Sequence, residues 1–197
     1  MSRDPERAAG QFFGGRVCLD FANTLDWRLT DEPVELIPDY AALLSWSLRR
    51  GTLTPRTTQL LKRNPSAAHS VIAEAYSMRQ TIWAIADALR AGERADLREI
   101  NRMLLDLPRQ PALIQHAGRM SYHLDGTDAR QPLWPVLWSL TAVLASEDAQ
   151  RLGMCEAGGC GWYFVDESPN HTRRWCSSGV CGNRERARRA YSKRKSA

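Results

Sequence analysis

Four cysteines have the type and spacing of a metal site. Cys155 and Cys160 form one C-x4-C pair and Cys176 and Cys181 a second, with fifteen residues between the pairs. Thiolate sulfur suits zinc, and four such ligands close a tetrahedral shell. A closed shell leaves no position for water, so the ion is structural and not catalytic. Gly158 and Gly159 fall inside the first pair and Gly179 inside the second, where the chain must bend around the ion. Residues 161–166 read as a strand, and Cys181 stands at the start of a helix. Loop pair, hairpin, then a ligand at a helix start is a treble-clef-like order, and the positive end of that helix faces the thiolates. One structural Zn2+ per chain is the expected cofactor. Cys18 stands apart in an apolar stretch and reads as a buried thiol.

Charge is concentrated behind the last cysteine. The 197 residues carry a net charge of +5. Residues 171–197 hold nine Lys/Arg against one acid, Glu185, a local charge of +8, while residues 1–170 hold 18 against 21, a charge of −3. A basic end on a mildly acidic body is the pattern of a dedicated polyanion-binding element. Arg173, Arg174, Arg184, Arg186, Arg188, Arg189, Lys193, Arg194 and Lys195 are the candidate nucleic-acid contacts. Arginine's planar fork fits phosphate and the guanine edge. Arg173, Arg174 and Arg184 have a second reading, since each is close in sequence to a cysteine and can balance thiolate charge. Ala187, Ala190 and Tyr191 share a helix face and are expected to pack on the finger.

The elements that hold this end in place are mostly helical. Asp39 caps an apolar helical repeat (Tyr40, Leu43, Leu44, Leu48) that stops at Gly51. Thr54-Pro55 and Asn64-Pro65 each read as an N-cap followed by proline at the first helical position. Residues 66–91 form the clearest helix, with Val71, Ala75, Met78, Ile82, Ile85 and Leu89 in one stripe and Gly92 as its stop. A further helix runs through Leu97, Ile100, Leu104 and Leu105 and stops before Pro108. The period then changes to two: Met120, Tyr122 and Leu124 alternate with polar residues, and a β-hairpin with residues 112–116 follows. A last apolar helix covers residues 133–149. The short passage 150–154 implies a finger docked on the body, not one swinging on a tether.

Asp20, Asn23 and Arg28 place polar groups in an otherwise apolar segment. Two readings stand side by side. Such groups can brace the fold through backbone hydrogen bonds, or they can line a small-molecule pocket that makes the body a sensor. The four histidines form no catalytic set with an acid or nucleophile, and no phosphate loop or metalloprotease motif is present, so enzymatic activity is not expected. No apolar run is long enough for a membrane span. The chain start lacks the apolar stretch of a secretory signal, which points to a reducing cytoplasm and favours metal ligation over disulfides.

The C-terminal segment resembles the CGNR zinc finger family, named for the motif found here as Cys181-Gly182-Asn183-Arg184. Cys155, Cys160, residues 164–166, residues 174–176 and the basic helix carry the resemblance. The upstream part is similar to the ABATE domain, through residues 19–24 and the helical pattern behind them. The resemblance implies a bacterial, stress-induced transcription regulator that binds DNA. The expected fold is therefore mainly α with a small β-hairpin (α+β). A helical N-terminal domain, 1–150, carries the ligand or partner sensor, and a treble-clef-like four-cysteine zinc finger, 151–197, ends in the basic helix. DNA is the expected partner; RNA binding and a protein-interaction adaptor are the alternatives, and homodimerisation would extend a single finger's reach.

Overall fold

The computed structural model describes residues 10–63, 68–107, 112–116, 118–123 and 128–195. The expected helix start at Asn64-Pro65, the stop at Pro108, and Ala117 and Leu124 of the hairpin lie outside these residues.

Helix α1 (Val17–Ala22) is the hub of the fold. It is a short helix, yet Cys18, Leu19, Phe21 and Ala22 are all at most 1% exposed. It packs against the long helix α4 (Ala68–Arg90) and against α6 (Trp134–Leu144). Helix α2 (Tyr40–Arg50) packs on α4, α3 (Pro55–Lys62) packs on α2, and α5 (Arg98–Leu105) packs on α6. Their ends follow local chemistry. Asp39 accepts the Ala42 N–H at 2.7 Å, and Gly51 closes α2 in the left-handed conformation. Thr54 caps α3 with Pro55 behind it. Of the predicted stripe of α4, Val71, Ala75, Met78, Ile82 and Ile85 are buried and Leu89 at its end is partly so, with Arg79 the one charged residue sunk among them.

Three two-stranded antiparallel sheets complete the described chain. Strands β1 (Leu25–Asp26) and β2 (Val34–Glu35) form a ribbon that closes the loop carrying Trp27, Arg28, Leu29 and Thr30. The expected hairpin is β3 (Ala112–His116) with β4 (Arg119–His123), in the register His116 opposite Arg119. Strands β5 (Leu152–Met154) and β6 (Tyr163–Val165) pair on either side of the first cysteine pair.

Two expectations change in the third sheet's neighbourhood. The helix expected over 133–149 ends at Leu144, and a 3-10 turn, Glu147–Arg151, follows it. Ser146 interrupts the helix by capping the new turn through its own Oγ. The passage 150–154 is not a connector, because its last three residues are strand β5. The main core then crosses residue 150: Tyr163 and Val165 are fully buried among the helices of the body. A second apolar cluster gathers Cys155, Cys160, Trp162, Phe164, Cys176 and Cys181 with Leu36, and Phe13 and Val34 pack on it. Each cluster thus contains residues from both ends of the chain. Among the described residues no helix is long and apolar enough to cross a membrane.

Candidate metal centre and nucleic-acid interface

The first knuckle is the tip of the β5–β6 hairpin. Cys155 follows β5 and its N–H donates to Trp162 O at 2.8 Å, while the Cys160 N–H donates to Ala157 O at 3.0 Å. The second knuckle is a single π turn, Ser178–Gly182, opened by Ser177, whose Oγ accepts the Val180 N–H. That turn carries Cys181 and runs directly into α7 (Asn183–Lys195). The Glu156 N–H donates to Arg174 O at 2.9 Å and ties the knuckles together.

All four Sγ atoms lie within 4.8 Å of one another and all four residues are buried. Cys160–Cys176, Cys176–Cys181 and Cys181–Cys160 are 3.8, 3.5 and 3.7 Å apart. A zinc ion at about 2.3 Å from each of four sulfurs requires tetrahedral edges of about 3.8 Å. A disulfide requires about 2.05 Å, and the cysteines are free. The donor set therefore fits one zinc ion. Zinc binds thiolate and not thiol, so loading the site releases the protons of the four cysteines.

The basic residues divide into two groups. Arg173 is turned inward. It donates to Trp175 O (3.0 Å), Val165 O (3.1 Å), Phe13 O (2.9 Å) and Cys176 O (2.5 Å), and its guanidinium lies 4.1 Å from the Phe164 ring centroid. Arg174 pairs with Glu156. Arg184 lies 4.3 Å over the Trp27 ring and donates to Cys181 Sγ at 3.6 Å. The second group, Arg186, Arg188, Arg189, Lys193, Arg194 and Lys195, is exposed along α7. Glu185 is the buried residue of that helix: it accepts the Gly158 N–H at 3.2 Å and pairs with Arg188. Asn183 donates to Gly179 O at 2.7 Å and so braces the turn. The expectation that Ala187, Ala190 and Tyr191 pack on the finger is corrected, since all three are exposed and Tyr191 is 63% so. The helix projects from the molecule after its first turn.

Asp20, Asn23 and Arg28 are engaged inside the fold. Asp20 accepts the Gly14 N–H at 2.8 Å and the Arg50 Nε–H at 2.7 Å, and burial pushes its carboxyl up. Asn23 pairs both its amide atoms with the Tyr163 backbone, at 2.9 and 2.8 Å, as a neighbouring strand would. Arg28 reaches Gly161 O and the Tyr163 hydroxyl and sits between the Trp83 and Tyr163 rings. These contacts are those of the bracing reading: Asn23 and Arg28 join the body to β6 and its knuckle, and Asp20 ties Arg50 to the Gly14 backbone. A cavity of 530 Å³ lies elsewhere, lined in part by Glu147, Arg151, Asp166 and His171, and none of the three borders it.

Residues 15–147 match the family model ABATE, described as "Putative stress-induced transcription regulator". That span is more than half of the chain. The chain belongs to the ABATE family. Residues 151–194 match the CGNR zinc finger. No curated protein matches the chain.

The ABATE segment supplies parts of the metal centre that a reading of the finger alone does not find. The Leu29 N–H donates to Gly159 O at 3.2 Å, and Gly161 sits under Leu29 so closely that a Cβ there would lie 2.7 Å from Leu29 Cγ. Trp27 and Thr30 cover Gly159 in the same way. Glu185 carried a usable signal, being the single acid in a basic tail. Trp27 and Leu29 carried none, because their partners are more than a hundred residues away.

Proposed function

We propose that this chain is a zinc-dependent transcription regulator that binds duplex DNA through α7. The single observation that carries the reading is that six cations of α7 are exposed while its one acid is buried against the knuckle. A helix anchored at one end by a four-cysteine site presents those cations in a fixed array, and a fixed array of arginine suits the regular spacing of phosphates. Most of the contacts fall on phosphate, which positions the protein; sequence preference comes from whichever side chains reach the groove. Family membership supports the regulatory part of the reading.

The body's role in this proposal is that of a rigid mount. Asn23 and Arg28 serve the joint with the finger and Asp20 braces the body, so the sensor function is assigned to none of the three. Competition binding at matched salt tests the proposal, with duplex DNA, structured RNA and an acidic protein as competitors. The expected order places duplex DNA first. RNA first would replace DNA with RNA as the partner, and the acidic protein first would make the chain an adaptor.

A further inference from the structure

The side chains of the first turn of α7 return to residues outside the helix, most of them within the finger. Glu185 reaches the backbone of Gly158, an anchor that stays within the finger. Arg184 leaves the finger: its guanidinium donates to Cys181 Sγ, and its Cζ lies 4.3 Å over the ring of Trp27 in the β1–β2 loop. Asp26, next to Trp27, faces the same guanidinium; burial pushes its carboxyl up, and the Arg184 charge opposes that shift. We propose that Arg184 is a positioning residue: by bridging a zinc-ligating sulfur and the face of Trp27, it sets the direction in which the basic helix leaves the ABATE body.

The chemistry supports this role in three ways. A zinc ion with four thiolates leaves negative charge on sulfur, and an N–H donor at one of them reduces it. A guanidinium is flat and can stack on an indole while its edge still donates, which an ammonium cannot do. Arg184 is also half-buried, unlike the exposed cations that follow it. One side chain thus touches both a metal ligand and the ABATE body. The inference rests on the metal centre and not on what α7 binds. Its test uses no nucleic acid, so failure here and failure of the DNA reading are separable.

The test is amide hydrogen exchange on the zinc-loaded full chain, with Arg184→Lys and Trp27→Leu, joined to the absorption of cobalt-substituted protein. Trp27→Leu keeps all four ligands and Arg184. With metal content measured alongside, it is expected to speed exchange at the start of α7 by about fivefold, the loss of one partly exposed cation–π contact. Arg184→Lys keeps the charge. It is expected to show the same faster exchange and to move the thiolate-to-cobalt band to lower energy, because the N–H donor to sulfur is gone. Arg184→Lys with wild-type exchange and a wild-type band would overturn the proposal. Unchanged exchange in Trp27→Leu would overturn it too, and decides the matter if Arg184→Lys does not fold.

Discussion

Arg173 and Arg189 have the same side chain, lie in the same basic segment, and do different things. Arg173 satisfies four backbone carbonyls and covers Phe164, whereas Arg189 faces solvent. Charged donors left out of such an array cost about 1.5–3 kcal/mol for each strong bond, and the losses overlap. Arg173→Ala is expected to lower unfolding free energy by about 3 kcal/mol in denaturant titration, while Arg189→Ala stays within about 0.5 kcal/mol. In DNA binding the order reverses: Arg189→Ala should reduce the magnitude of the salt slope by about 1, as a lost phosphate contact does. Cys18 gives a second test at this scale. Burial pushes its thiol up to about 11, so it remains protonated at pH 8 and carries no nucleophilic thiolate. The folded, zinc-loaded chain is expected to leave Cys18 unlabelled by iodoacetamide at pH 8, with labelling on unfolding.

The first knuckle and its hairpin show which glycines the turn needs. Gly159 has φ +81°, and a Cβ there would lie 2.6 Å from Thr30 Cγ2. A Cβ on Gly158 would meet ordinary contacts, 3.6 Å from Arg188 and 3.9 Å from Glu185. Gly159→Ala is therefore expected to weaken zinc retention by about tenfold or more in chelator competition, from strain and overpacking of about 1–3 kcal/mol. Gly158→Ala should retain zinc as the wild type does. The elements themselves were largely legible. The Asp39 cap, Gly51, Thr54-Pro55, the α4 stripe and the β3–β4 alternation are local signals, and each one produced its element. The cysteine spacing was legible for the same reason, since a C-x4-C pair closes its own loop. Strand β5 was not: Leu152, Gly153 and Met154 have no strand period of their own. They form a strand by pairing with β6, and Gly153, opposite Phe164, leaves room for that ring, which a Cβ would approach to 2.4 Å.

At the scale of the whole molecule, body and finger share their cores. Tyr163 and Val165 fill the body, and Leu36, Val34 and Phe13 pack on the metal cluster. Asn23 and Arg28 stitch the same joint with polar contacts. This arrangement was illegible in the sequence because it consists of pairings between residues far apart in the chain, such as Asn23 with Tyr163 and Asp87 with Tyr163, for which no spacing rule exists. Buried polar groups need partners: Asn23 finds them in the Tyr163 backbone, and Asp20 finds them in Gly14 and Arg50. A consequence follows for stability. A ligand that binds the folded state stabilises everything that unfolds with its site. Chelating zinc from the intact chain is expected to lower the melting transition of the helical body by several degrees, read by helical circular dichroism, and not to melt the last 45 or so residues alone.

The proposal that metal and joint together aim α7 at DNA is tested most directly by one titration. Duplex-DNA affinity is measured against salt on the zinc-loaded chain and again after chelation. With zinc bound, the six exposed cations of α7 predict a log–log slope of about −5, and chelation predicts a loss of about tenfold or more as the array loses its preorganisation. Stoichiometric zinc with no DNA affinity at low salt would contradict the account, as would affinity that chelation leaves unchanged.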